Sequence, residues 1–189
     1  MEKKFLRLRM IIINIVIFMC FGVFNGCNTN SKKGYKILEE YECHYPFVMS
    51  EYYCENYANS KIAFETVMES FFDDEGNYTN DFGGSYIDGN GIFNICVVGS
   101  RRPIDSNYLI FQKVDNSFNF LNKIYKHLIE HTDNYNIASV EICEICNKIK
   151  ICIETVDQIN LIVAQLRTEG LFKKNILLFY VCPDFSIPN

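Results

Sequence analysis

Hydrophobic positions change period several times along this chain, and each change marks an element. From Ser60 to Phe72, Ile62, Ala63, Val67 and Phe71 fall near helical spacing, and Asp73-Asp74-Glu75-Gly76-Asn77 ends the run. Ser85–Ile87 and Ile92–Val98 are short apolar runs separated by Asp88-Gly89-Asn90-Gly91. Residues of that kind tolerate positive φ, so the pattern predicts a β-hairpin. Leu109–Val114 predicts a further strand. From Ser117 to His131, Phe118, Leu121, Ile124, Tyr125 and Leu128 repeat at three and four, predicting an amphipathic helix capped by Asp115, Asn116 or Ser117.

The order then recurs. Ile137–Ile145 and Lys148–Thr155 predict a second hairpin, with Ile149, Ile151 and Ile153 on a buried face and Lys148, Lys150 and Glu154 on a wet one. Thr155 and Gln158 have capping-box spacing before a helix whose stripe is Ile159, Ile162, Val163 and Leu166 and whose end is Gly170. Ile176–Val181 is a last apolar strand before Pro183. Hairpins pair antiparallel and amphipathic helices need an apolar surface to cover. The expectation is therefore an α+β two-layer sandwich: an antiparallel or mixed sheet of two hairpins plus the final strand, with two to three helices on one face.

The N-terminus follows a different rule. Lys3, Lys4, Arg7 and Arg9 precede an apolar run from Met10 to Phe24, the pattern of a secretory signal or anchor rather than a full span. Asn28 to Gly34 has the composition of a tether. The expected organisation is a signal peptide or anchor at 1–26, a polar tether at 27–35, an irregular and helical opening segment at 36–80, the α+β domain at 81–183 and a tail at 184–189. Gly26-Cys27 after the apolar run resembles the lipobox of bacterial lipoproteins, which implies acylation of Cys27 and a membrane partner through the lipid or leader. Phe24 and Asn25 depart from the usual lipobox residues, so secretion after ordinary cleavage and an uncleaved anchor stand beside it.

Of 189 residues, 49% are hydrophobic and 15% aromatic, enough for a core. The first 26 hold four of the 18 Lys/Arg and one of the 23 Asp/Glu, leaving the remainder at −8. A body that acidic repels phosphate backbones and argues against nucleic-acid binding.

Phe82-Gly83-Gly84-Ser85-Tyr86-Ile87-Asp88-Gly89-Asn90-Gly91, then Asn136-Ile137-Ala138-Ser139-Val140 leading through Asn147 into an alternating strand, is similar to segments upstream of chymotrypsin-type serine proteases of secreted Gram-positive proteins. These segments resemble the pro-regions of α-lytic-type proteases, and the likeness covers Phe82 to Val181. It implies a non-catalytic domain that assists or masks a protease. No Gly-x-Ser-x-Gly stretch occurs in the chain, so the expected target is a separate polypeptide.

Three candidate chemistries remain. His127-Leu128-Ile129-Glu130-His131 matches the H-x-x-E-H order of inverted zinc peptidases, in which two histidines one turn apart hold zinc and the glutamate activates water. Helix ends also favour histidine through the macrodipole, and only Glu141, Glu144 or Glu154 offers a third ligand. The expectation is no metal and no other cofactor, with a zinc hydrolase on His127, Glu130 and His131 as the alternative. Beyond Cys20 and Cys27 seven cysteines remain, an odd number. Cys43 and Cys54 are a disulfide candidate, Cys143 and Cys146 have zinc-ligand spacing, and Cys96, Cys152 and Cys182 read as small residues of apolar strands. A catalytic cysteine would need His44 or His127. Arg101-Arg102, Asp88 with Asn90, and Asp73–Glu75 read more simply as a solvated loop, a turn and a helix stop. The functional expectation is a membrane-tethered, extracytoplasmic, non-enzymatic domain that binds or regulates a polypeptide, with a structural envelope module as a third possibility.

Overall fold

The computed structural model describes residues 36–38, 50–99 and 108–182. The leader, Cys27, Cys43, His44, Arg101, Arg102 and the tail at 184–189 lie outside them. Among the described residues, no helix is long and apolar enough to cross a membrane.

The fold is α+β, and its strands form two sheets rather than one. The elements are β1 (Lys36–Leu38), α1 (Tyr53–Met68, running into a 3-10 turn at Glu69–Phe71), β2 (Phe82–Ile87), β3 (Phe93–Val98), β4 (Leu109–Val114), α2 (Phe118–Glu130), α3 (Thr132–Tyr135), β5 (Ile137–Cys143), β6 (Lys148–Ile153), α4 (Gln158–Thr168) and β7 (Leu177–Val181). One sheet has the order β2-β3-β4 and the other β1-β7-β6-β5.

The two sheets are built to one plan. In each, a hairpin is antiparallel and a third strand joins its second strand in parallel: β4 on β3, and β7 on β6. Each hairpin also has an irregularity at the same step. Phe82 faces Val97 and Gly84 faces Cys96 in the first; Ile137 faces Ile153 and Ser139 faces Cys152 in the second. Cys96 and Cys152 therefore hold equivalent positions. β1 adds a parallel strand to β7 and has no counterpart among the described residues.

Each half has its own core. α1 and its 3-10 turn bring Phe64, Val67, Met68 and Phe71 onto Phe82, Phe93, Ile95 and Val97, with the Phe64 and Phe93 rings stacked at 4.3 Å. Leu121, Ile124 and Leu128 of α2 and Ile159, Ile162 and Leu166 of α4 cover Ile149, Ile151, Ile153 and Phe179. The half-buried Phe118 packs against both clusters. Burying a large aliphatic or aromatic side chain contributes about 1.5–3 kcal/mol, so these clusters dominate the stability of each half.

Several local expectations need correction. α1 starts at Tyr53 rather than Ser60, and Ile62 is 68% exposed, so it does not belong to the buried stripe. That stripe runs Ser60, Phe64, Val67, Met68, and its polar member hid it. Ser60 is buried because its hydroxyl donates to the Tyr108 carbonyl and accepts from the Phe93 N–H, both at 2.7 Å. Lys150 is not on a wet face: it is buried, with Nζ 2.9 Å from Oε1 of Glu141 on the paired strand. Cys152 and Cys182 are joined in a disulfide between the second sheet's central strand and the residue after β7.

The halves are clamped by two buried asparagines. The Asn116 N–H donates to Asn147 Oδ1 (2.8 Å) and Asn116 Nδ2 to the Asn147 carbonyl (3.0 Å). Asn147 Nδ2 donates to the carbonyls of Asn116 (2.8 Å) and Gly83 (3.0 Å). Asn147 also has φ 52°, a left-handed conformation that asparagine tolerates better than most residues. Its side chain thus ties the second hairpin's turn to β2 and to the end of β4.

Replacing Asn147 by Ala strands three buried backbone groups, and a cost of about 3 kcal/mol is expected as a fall in the urea midpoint. Asn136 is a control, left-handed but exposed. Asn136→Ala should cost only about 1 kcal/mol, the backbone component. Equal losses would show that the clamp contributes nothing.

Candidate functional site

The turn between β5 and β6 is where one half enters the other. The strands pair as far as Cys143 opposite Lys148, leaving Glu144, Ile145, Cys146 and Asn147 to reverse the chain. The Asn147 N–H closes the turn on the Glu144 carbonyl at 3.2 Å. A disulfide joins Cys143 to Cys146, with Cα atoms 5.5 Å apart. The Cys146 N–H donates to Cys143 Sγ at 3.4 Å, while Cys146 Sγ lies 3.6 Å from the Cys143 carbonyl.

Loop length separates the two disulfides among the described residues. A bridge across three positions removes about 2 kcal/mol of unfolded-chain entropy, against about 3.6 kcal/mol for the thirty positions between Cys152 and Cys182. The short one is the lesser staple. Its effect is on the shape of the turn that presents Glu144.

Glu144 reaches from this tip onto β2. Its carboxylate accepts the Ser85 N–H, and its side chain lies along Gly84, where an added Cβ would come within 3.0 Å of Oε2 and 3.2 Å of Cγ. Gly84, at φ 117°, has no side chain because the glutamate fills that space. Burial raises the Glu144 carboxyl to about 7, and the Ser85 hydrogen bond opposes that shift only in part. The Cys96 thiol, in the central strand β3, donates to the Glu144 carbonyl at 3.8 Å. Burial, with a smaller contribution from the Glu144 charge, pushes that thiol up to about 12, so it stays protonated. The phenol of Tyr78 is likewise pushed up to about 12 by burial first and by Glu144 second.

A polar patch lies on the same sheet. Gln112 Nε2 donates to the Tyr86 hydroxyl at 2.6 Å and to Asn94 Oδ1 at 3.2 Å, and Asn94 Nδ2 donates to the Ile92 carbonyl at 3.1 Å. Asp88 accepts from the N–H groups of Asn90 and Ile92, so it builds the first hairpin's turn as the sequence suggested.

The histidine motif is placed differently. His127 and His131 stack at 4.6 Å between ring centroids at the end of α2, and His131 continues the stack onto Tyr135 at 5.9 Å. His131 Nδ1 is 2.8 Å from the His127 carbonyl, and Glu130 is exposed. Two of the possible third ligands are engaged elsewhere: Glu141 with Lys150, and Glu144 with Ser85. Among the described residues no cluster of three or more His, Cys, Asp or Glu side chains is arranged to hold a metal ion. Cys54 is exposed, and its candidate partner Cys43 lies outside the described residues.

The sequence signalled the Cys-x-x-Cys spacing but not its state or its neighbours. Glu144 and Cys96 are 48 positions apart, and only the docking of two similar hairpins brings them together. A scan of protein-family models and a search of curated proteins found no match to the chain.

A carboxyl held more tightly to its proton in the folded chain than in the unfolded one stabilises the fold fully below pH 4.5, and that contribution is lost as pH rises through about 7. At roughly 1.4 kcal/mol per unit, Glu144 spans about 3 kcal/mol. Urea midpoints taken from pH 4.5 to 8 should therefore fall more steeply in the natural protein than in Glu144→Gln. Superimposable profiles would contradict this burial of the carboxyl.

Proposed function

We propose that this chain is a membrane-tethered extracytoplasmic domain that recognises a polypeptide rather than transforming a small molecule. The observation that carries the reading is the outer edge of β4. Among the described residues β4 pairs only with β3, so its other edge presents backbone N–H and C=O groups beside the exposed Ile110. An extended polypeptide can add there as a fourth strand, with backbone bonds supplying affinity and Ile110 an apolar contact.

Two further facts support the reading. Disulfides persist in oxidising compartments, and both pairs here suit delivery outside the cytoplasm by the N-terminal leader. Of the buried polar residues described above, Ser85, Asn116 and Asn147 bond across the two halves and Ser60, Asn94 and Lys150 within one, as expected of structural joints more than of a site prepared for a reacting substrate. A protease is one partner class, by the pro-region resemblance, and the domain's role toward it would be assistance or masking.

A photo-crosslinking residue at Ile110 should capture a discrete polypeptide from the native envelope, and the same probe at the exposed Val156 should not. With the probe moved to the exposed Lys113, Ile110→Lys should cut capture about tenfold, a change of roughly 1.4 kcal/mol. Capture independent of position would contradict the β4 site. Fatty-acid labelling should be lost on Cys27→Ser; retained labelling would contradict lipidation at that residue.

A further inference from the structure

The two sulfurs of the short disulfide differ in surroundings in a way that a simple staple does not require. Cys143 and Cys146 are half-buried at a hairpin tip next to Ile145, which is 44% exposed. In the other disulfide, Cys152 is 1% exposed within a central strand. An incoming thiolate therefore has a path to either sulfur of the first disulfide, whereas in the second Cys152 is closed and only the half-buried Cys182 offers one.

The backbone also distinguishes the sulfurs. The Cys146 N–H points at Cys143 Sγ, where it stabilises negative charge on that sulfur. Cys146 Sγ faces the Cys143 carbonyl, an acceptor that suits a protonated thiol. The turn thus already holds the partners of a Cys143 thiolate and a Cys146 thiol.

We propose that Cys143–Cys146 is a thiol–disulfide exchange site that accepts electrons from a polypeptide dithiol, with Cys146 Sγ the atom attacked and Cys143 the leaving sulfur. A substrate thiolate bonds to Cys146 Sγ, the Cys143–Cys146 bond breaks, and its electron pair goes to Cys143 Sγ beside the Cys146 N–H. The second substrate thiolate then attacks the substrate sulfur of the mixed disulfide and releases Cys146. The two protons of the substrate thiols pass to the two cysteines. In sum, one substrate dithiol is oxidised to a disulfide and one protein disulfide is reduced, once per chain.

Exchange leaves the fold in place, because other bonds hold the turn. The Asn147 N–H binds the Glu144 carbonyl, the Asn147 side chain clamps the two halves, and Glu144 stays on the Ser85 N–H. Cys96 takes no part as a nucleophile, since its buried thiol remains protonated and bonded to the Glu144 carbonyl. Ile145 gives an apolar contact beside the attacked sulfur, which favours a polypeptide dithiol over a small hydrophilic one. The inference is independent of recognition at β4: either can fail without the other.

The test uses the full chain as purified, oxidised and without denaturant. Treated with dithiothreitol at pH 7, quenched by alkylation and mapped by mass spectrometry, Cys143 and Cys146 should become reduced at least about tenfold faster than Cys152 and Cys182. The far-ultraviolet circular dichroism should not change. After this mild reduction, a short iodoacetamide pulse should label Cys143 several-fold ahead of Cys146. A synthetic peptide dithiol should yield one peptide disulfide per chain. Reduction of both pairs together, only once denaturant is added, would overturn the proposal and leave a staple. Faster labelling of Cys146 would overturn the assignment of the leaving sulfur.

Discussion

The structure depends on one constraint: the turn at 143–147 must satisfy buried polar groups in the half it does not belong to. Asn147 bonds the carbonyls of Gly83 and Asn116, and Glu144 takes the Ser85 N–H. Without these partners, several backbone groups would be buried unpaired, each at a cost of about 1–3 kcal/mol. Hydrophobic burial stabilises each half, but it is non-directional. The asparagine clamp and the bond of Glu144 to the Ser85 N–H fix how the halves meet.

The common plan of the two halves gives this joint a physical logic. A hairpin with a third parallel strand buries one face under a helix and leaves the other in need of cover. In the first half, β3 turns Phe93, Ile95 and Val97 into the core under α1, while Cys96 is covered by the second hairpin's turn. In the second half the equivalent cysteine, Cys152, has found a covalent partner in Cys182. The same position is thus a hydrogen-bond donor beneath a carbonyl in one half and a cross-link in the other. The difference follows from the third strand: Cys96 pairs with Gln112 and Cys152 with Tyr180, and the position two residues further on holds Val114 in the first half and Cys182 in the second.

Much of the secondary structure was legible because the local signals agree. The Asp88–Gly91 turn, the Ser117 cap, which accepts from the Phe120 N–H, and the Ile149-Ile151-Ile153 alternation each carry period and chemistry in neighbouring residues. What was hidden depended on distant partners. β1 is three residues long and exists only through β7, and α1 begins before its buried stripe because its first turn is largely exposed. Lys150 alternates as a wet residue should, yet cross-strand pairing with Glu141 lets it be buried. The parallel pairings that divide the strands into two sheets need crossovers that no periodicity records. The candidate site was legible only as a Cys-x-x-Cys spacing, since Glu144 acquires its meaning from Gly84 and Ser85, some sixty positions earlier.

Native-state hydrogen exchange tests most directly whether this joint makes the two halves one cooperative unit. The amides of Ser85, Asn116 and Cys146 should open with the same free energy as those of Ile95 and Ile151 at the centres of the two sheets. If the first sheet exchanges in a separate, lower-energy step while the second stays protected, the halves fold independently and the clamp is incidental.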